Sequence, residues 1–426
     1  MGNKTTNTKS NFGKMGWVMI IYLGIILYIC PVLTGDGFNT LIPQFAQHGM
    51  NPTEMLSFVT VAQWIAIFVA FLSVFLIRKF GPRNVTTISM ILIGVLAIVW
   101  GRTTTIVLWA AVLCLMQIFV QIASANSGMS LAAYWFPTRK GLALGWATMG
   151  SNLASATCIY LLTFLFKTFG GLSGGLTAFG VAVIVFAIVG HLIIRDTPEE
   201  LGLTPDNLPM TREELEASKA KFENATPTKV TVLLRKKELW LDAIIFGLLG
   251  MVTAGLVSQM VPGLTSMGIE EDRATLLFSA TAFIGLVGSY LWGWLDQKLG
   301  TRMATFWFGL SYGLGALLLV LVQPLGWTLW PALILIAGGI GGYVNLMPSM
   351  CATIFGRRDF VQAYAVASVI TGVIRASVFT ILGFALAQFG SYVYAYGLLA
   401  ILGVVAAFLC LPLKESSFKM YQENNM

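Results

Sequence analysis

The chain has 426 residues, 57% of them hydrophobic and 11% charged. Soluble domains carry about 25% charged residues, so a water-soluble globular fold is excluded. The formal charge of +7 is spread over short loops between apolar runs, which excludes a nucleic-acid-binding stripe.

The mean hydropathy is +0.79, and many apolar runs reach about 20 residues, enough to cross a lipid bilayer as helix. These features describe a polytopic helical membrane protein. Its 44 glycines suit helices packed closely in lipid. The first stretch, MGNKTTNTKSNFGKMGW, is polar and basic. The apolar run after it is too long for a signal peptide. MGNKTT also fits a myristoylation pattern, an anchor that a multi-pass chain does not need.

Twelve spans can be drawn, at about 16–47, 53–77, 84–101, 105–133, 141–166, 175–194, 239–266, 274–295, 303–323, 327–353, 361–388 and 391–412. With both tails on one side, that side holds 22 of the 26 Lys and Arg residues. The other side holds Arg102, Lys167 and Arg273, and Arg375 lies within a span. The positive-inside rule then places both termini in the cytoplasm of a cell membrane.

Residues 195–238 form the one long loop, with nine acidic and eight basic residues. It reads as a solvated linker. Within it, Thr211-Arg-Glu-Glu214 is a capping box, which predicts a surface helix to about Phe222.

The chain repeats across this linker. At a single offset of 219 residues Arg83 maps to Arg302, Arg139 to Arg358, Pro43 to Pro262 and Asn126 to Asn345. The expected fold is all-α, with twelve transmembrane helices in two pseudo-symmetric six-helix bundles. The N-terminal bundle covers 1–194, the linker 195–238 and the C-terminal bundle 239–426. Parallel repeats about the membrane normal are the plan of the major facilitator superfamily.

Several strings resemble that superfamily, and in particular its oxalate/formate antiporter and monocarboxylate branch. RKFGPRN (78–84) is similar to the branch's D-R-x-G-P-R loop, with Arg78 where the aspartate is usual. AAYWFPTRKGLALGWATMG (132–150) resembles its W-F-P-x-x-R-G corner. TPEELGLTPDN (197–207) resembles P-E-E-x-G-L-x-P-D-G, and GWLDQKLGTR (293–302) the second loop motif, with Asp296 one residue early. The resemblance implies that these loops latch the two halves on the cytoplasmic side, here with altered strength. It also implies a basic pair in spans 8 and 11, but the apolar stretch of span 8 has no basic residue. A single cation favours a monocarboxylate or a larger organic acid over a dicarboxylate.

Arg375 leads the candidate site. An arginine in mid-span costs roughly 2.5–3.5 kcal/mol on insertion scales and marks a functional position by default. Its planar fork matches a carboxylate. Its repeat mate is Ala156, so the charge breaks the symmetry. The bland alternative is a salt bridge that only holds the eleventh helix.

Asp36, mate of Gly255, is the second symmetry-breaking charge. It is expected to couple a proton, or to pair with Arg375; the alternative is a turn residue flanked by Gly35 and Gly37. Asn126 and Asn345 are candidates to grip substrate or to bond between helices. Asn39, Gln63 and Gln259 are weaker polar candidates. Trp64, Tyr134, Trp146 and Tyr343 are candidates for an aromatic lining.

The five cysteines (Cys30, Cys114, Cys158, Cys351, Cys410) lie in apolar spans without ligand spacing, and His48 and His191 lack partners at metal-ligand spacing. No metal and no cofactor is expected. Neither a Walker A loop nor a catalytic grouping is present, so the chain is not read as an enzyme.

The expected function is secondary transport of a small organic anion by alternating access, with a proton as symported ion or a counter-anion in exchange. The chain is expected to act as a monomer. Alternatives are a carrier of a bulkier organic acid or zwitterion, and a transporter-like sensor that binds without transport.

Overall fold

The computed structural model describes residues 12–224 and 228–413. The myristoylation pattern lies outside them, as do Pro227 and the C-terminal tail. Among the described residues all regular structure is helical.

Ten helices are long and apolar enough to cross a membrane, and a bent pair supplies an eleventh span. One of the ten, Leu329–Phe389, is 61 residues long, too long for one crossing. It breaks at Gly356, where φ is 69° and ψ is −178°, and so divides into two spans. The expected twelve spans are therefore present. They are labelled α1 (Gly13–Gln47), α2 (52–80), α3 (Pro82–Trp100), α4 (Ile106–Trp135), α5 (Lys140–Thr168), α6 (Leu172–Ile193), α7 (Lys237–Ser266), α8 (Glu271–Leu299), α9 (Thr301–Val320), α10 (329–355), α11 (357–389) and α12 (Tyr392–Leu409).

Two spans depart from straight helices. In α1 the helix stops at Thr34 and restarts at Phe38, where the chain turns through Gly35-Asp36-Gly37 with Gly35 at φ −146° and ψ −100°. Gly37 sits so tightly that a Cβ there would lie 1.8 Å from the Val32 carbonyl oxygen. In α2 the two segments meet at 51°.

The repeat is visible in local geometry. Gly81 and Gly300, which are 219 positions apart, share one backbone conformation (φ 79°, ψ 153° and φ 82°, ψ 151°) that suits glycine. Arg83 donates from Nε to the His191 carbonyl at 2.9 Å, and Arg302 donates from Nη1 to the Leu413 carbonyl at 3.0 Å. Each arginine satisfies a carbonyl near or just past the C-terminal end of the last helix of its own set.

The long loop is only partly the solvated linker that its composition suggests. Its surface helix, Arg212–Asn224, starts at the capping box: Thr211 N–H donates to Glu214 at 2.8 Å, and Glu214 N–H donates to the Thr211 hydroxyl at 3.3 Å. The segment before that helix is packed. Pro198, Glu199, Pro205 and Asp206 are buried. The Asp206 carboxylate accepts from Thr138 N–H at 2.8 Å, Thr138 Oγ1 at 2.7 Å and Arg139 N–H at 2.9 Å. Two strings singled out in the sequence, WFPTRKG and LGLTPDN, thus hold each other.

Candidate functional site

A cavity of about 420 Å³ lies between the two sets of helices. Its polar wall comes from two stripes. Gln117, Gln121 and Ser124 project from α4, and Ser368, Thr371 and Arg375 from α11. Spacings of three, four and seven residues keep each stripe on one helix face. Thr34 of α1, Gln63 of α2 and Tyr343 of α10 add to the polar lining, with Met129, Met347 and Tyr364 at the end nearer the basic loops.

Arg375 is exposed to this space. Among the described residues it makes no ion pair, and no acidic side chain lines the cavity. Its guanidinium lies 6.0 Å from the Tyr343 ring centroid. Both side chains rest on α7 at Gly250, where a Cβ would come 2.9 Å from the Tyr343 hydroxyl and 3.3 Å from Arg375 Cδ. An unpaired guanidinium in a space without acids is a site for an anion.

Of the residues expected at the site, the cavity gathers Arg375, Gln63 and Tyr343. The others lie elsewhere. Asp36 is in the α1 break and accepts a 2.6 Å hydrogen bond from the Ser155 hydroxyl of α5, not from Arg375. Asp36 thus lies, partly buried, in a turn between Gly35 and Gly37 that interrupts α1, and not in an exposed loop between α1 and α2. Asn39 donates back to the Asp36 carbonyl at 3.0 Å.

Asn345 joins helices. With its amide oriented to suit its neighbours, it donates to the Gly141 carbonyl at 3.3 Å and accepts from Gly293 N–H at 3.0 Å. Its mate Asn126 is buried without a hydrogen-bond partner, in a π-helical turn of α4 (Gln121–Gly128). Gln259 accepts from the Tyr392 hydroxyl at 3.3 Å. Trp146 packs between Trp17 and Tyr290, and Tyr134 lies beneath Arg357. Trp64 is beside the cavity-lining Gln63 but is not itself part of the wall.

The cavity is sealed toward the basic loops. Gly141 and Gly145 of α5 lie against α8, where a Cβ on Gly145 would meet Gly293 Cα at 3.0 Å. Asn152 of α5 donates to the Gly285 carbonyl at 2.9 Å and to the Ser289 hydroxyl at 2.6 Å. On the other flank, α2 meets α11 through Val74, Ile77, Val361, Ala365 and Val369. At the surface, Glu199 of the loop forms a bidentate pair with Arg357 at 2.6 and 3.0 Å. Beside it, Asp196 accepts from Arg83 N–H at 2.6 Å. Burial pushes the Asp196 carboxyl above its ordinary value, against the lowering effect of that bond.

Sequence reasoning missed Gln117, Gln121, Ser124 and Asn152. The α4 stripe had a readable signal, three polar residues at helical spacing inside an apolar run. The choice of Asn126 rested on the repeat, which selects equivalent positions and not cavity-facing ones.

A twelve-span helical protein with a central, one-sided cavity is built as a membrane carrier. The Major Facilitator Superfamily model matches residues 24–377, and the chain belongs to that family. It is 23% identical over 300 residues to the uncharacterized MFS-type transporter YhjX of Escherichia coli K12, covering 68% of each chain. It is 25% identical to the hexose-6-phosphate:phosphate antiporter of Salmonella typhimurium over 53% of this chain and 50% of that protein. It is also 24% identical to the membrane sensor protein UhpC of E. coli K12, over 71% of this chain and 70% of the sensor. Among solved structures, the proton:xylose symporter XylE has the same fold, with a TM-score of 0.74 at 14% identity, covering 92% of this chain and 94% of that one. The protein is thus a multi-pass transporter of this superfamily.

Proposed function

We propose that the protein is a secondary transporter of an organic anion, of the monocarboxylate type, in a bacterial cell membrane with both termini cytoplasmic. The observation that carries this reading is Arg375, exposed and unpaired in a cavity that no acidic side chain lines. The carboxylate docks on the guanidinium. The amides and hydroxyls of Gln63, Gln117, Gln121 and Ser124 face it from the other wall. The resemblance to the oxalate/formate and monocarboxylate branch supports the same class.

Transport proceeds by alternating access, as the N-terminal helices (1–194) and C-terminal helices (239–426) rock about the cavity, linked by 195–238. Asp36 is the proposed proton-coupling group, since it sits in a break of α1 with Ser155 as its side-chain partner. A counter-anion exchanged at Arg375 is the other coupling mode.

One observation favours a second substrate class. About 420 Å³ is ample for a ligand larger than a three-carbon acid, and a similar protein is an antiporter of hexose 6-phosphate and phosphate. A bulkier polyhydroxylated or phosphorylated anion is that alternative.

The test is uptake into proteoliposomes across a panel of monocarboxylates, dicarboxylates and sugar phosphates, with and without a pH gradient. One class of anion is expected to enter, and Arg375→Ala to lose uptake about 30-fold or more, as expected when a charge partner is removed. Undiminished anion uptake by Arg375→Ala sinks the reading. Binding without counterflow makes the protein a sensor.

A further inference from the structure

A second carboxyl lies inside the spans, with no role in the site described so far. Asp242 of α7 is 1% exposed, and neither of its oxygens has a hydrogen-bond partner. It sits eight residues before Gly250, so about 12 Å along the helix from the point where Arg375 and Tyr343 rest. The titratable groups facing it are the Cys351 thiol of α10, the Tyr364 phenol of α11 and the Cys410 thiol of α12. Cations act on both of these thiols, Lys140 on Cys351 and Arg302 on Cys410. Among the described residues no cation pairs with Asp242 itself.

An ionised carboxylate enclosed without partners costs several kcal/mol, and such a group binds a proton instead. The fold does not need a polar group here. The repeat mate of Asp242 is Leu23, which is equally buried in the first set of helices. Tyr364 stands on both sides of the question, since it lines the Arg375 cavity and also faces Asp242. Tyr364 is thus a neighbour shared by the anion site and the buried acid.

We propose that Asp242 is a proton-binding site, distinct from Asp36, which is occupied while the basic face is closed and emptied when that face opens. On opening, the carboxyl O–H bond breaks, the proton passes to entering water, and the carboxylate left behind is hydrated. Neutral Asp242 thus favours the closed basic face and ionised Asp242 the open one.

The test uses the full-length protein in liposomes and needs no substrate, so it stands apart from the anion reading. Infrared difference spectra across a pH titration are expected to contain the carbonyl band of a buried carboxylic acid. That band is lost in Asp242→Asn and kept in Asp36→Asn and Arg375→Ala. Spin labels across the basic face are expected to report opening as pH rises, approaching about tenfold per pH unit for one linked proton. Asp242→Asn stays closed at every pH. Asp242→Leu, which copies the Leu23 position, behaves the same and guards against a folding defect peculiar to the amide. An absent band in the wild type, a band unchanged in Asp242→Asn, or wild-type pH-dependent opening in both variants would overturn the proposal.

Discussion

The two flanks that close the basic face occupy equivalent places in the repeat and are built from different chemistry. Between α5 and α8 the backbones touch. Gly141, Gly145 and Gly293 remove the side chains, and Asn152 and Asn345 fix the register with directional hydrogen bonds. Asp296 adds a charge at this flank. It abuts Gly141 and accepts from Thr301 at 2.6 Å and from Ser349. Between α2 and α11 the helices meet through branched aliphatic side chains. There Asn126, mate of Asn345, has nothing to bond, and Arg78 replaces the expected loop aspartate. Directional contacts at backbone distance hold one geometry, whereas apolar side chains tolerate sliding with little loss. The α5–α8 flank is thus the fixed edge of the closure and the α2–α11 flank the compliant one, and the latter carries Arg375.

This contrast can be broken in order of effect. Gly293→Leu should do most, because a Cβ there comes 2.5 Å from the Gly141 carbonyl oxygen. Overpacking of about 1–3 kcal/mol shifts the closed state by up to about a hundredfold, to be read as lost uptake and a widened label distance across the basic face.

Next comes the asparagine pair. Asn345→Leu should destabilise by about 1–3 kcal/mol by stranding its partners, while Asn126→Leu should be neutral or stabilising because it removes unsatisfied buried groups. Thermal melting in detergent distinguishes them, and equal losses from both would erase the proposed contrast. A stable Asn126→Leu that no longer transports would instead give that amide a role in substrate handling.

Val361→Ala on the compliant flank removes two methyl groups and should cost about 1–2 kcal/mol in melting with transport retained. The smallest effect is expected at the loop that anchors the start of α3. Burial raises the Asp196 carboxyl, so its contribution to stability is present at low pH and lost as pH rises through that raised value. Relative to Asp196→Asn, the wild type should melt progressively lower as pH climbs out of the carboxylate range. A constant difference would mean that the group does not titrate there.

Much of this architecture was legible beforehand. The spans follow from apolar run length, the surface helix from Thr211 and Glu214, and the repeat from loop arginines whose backbone roles recur in the structure. Arg375 was legible because a lone cation in an apolar run is too costly to keep unless it faces a cavity or an opposite charge. Asp242 was not, because it lies near the start of the expected 239–266 span, just after Lys236, Lys237 and Glu238, and so does not stand out as a mid-span charge does. Asn345 was legible only as a choice between gripping substrate and bonding between helices, and Asn152 not at all, for another reason. Whether a buried amide faces a ligand or a neighbouring helix depends on helix rotation, which composition does not record.

The docked loop has a kinetic consequence. Glu199, which grips Arg357, stays anchored to the N-terminal helices through Asp206 and its three bonds at Thr138 and Arg139. When the basic face opens, the acid is therefore not released into bulk solvent. It remains on a tether of about seven residues, and re-engagement is an intramolecular event at an effective concentration in roughly the millimolar range or above. Breaking the Glu199–Arg357 pair then delays opening, while the tether hastens closing. A carrier built this way spends its cycle unequally between its two faces, and the length of that short strand helps to set the ratio.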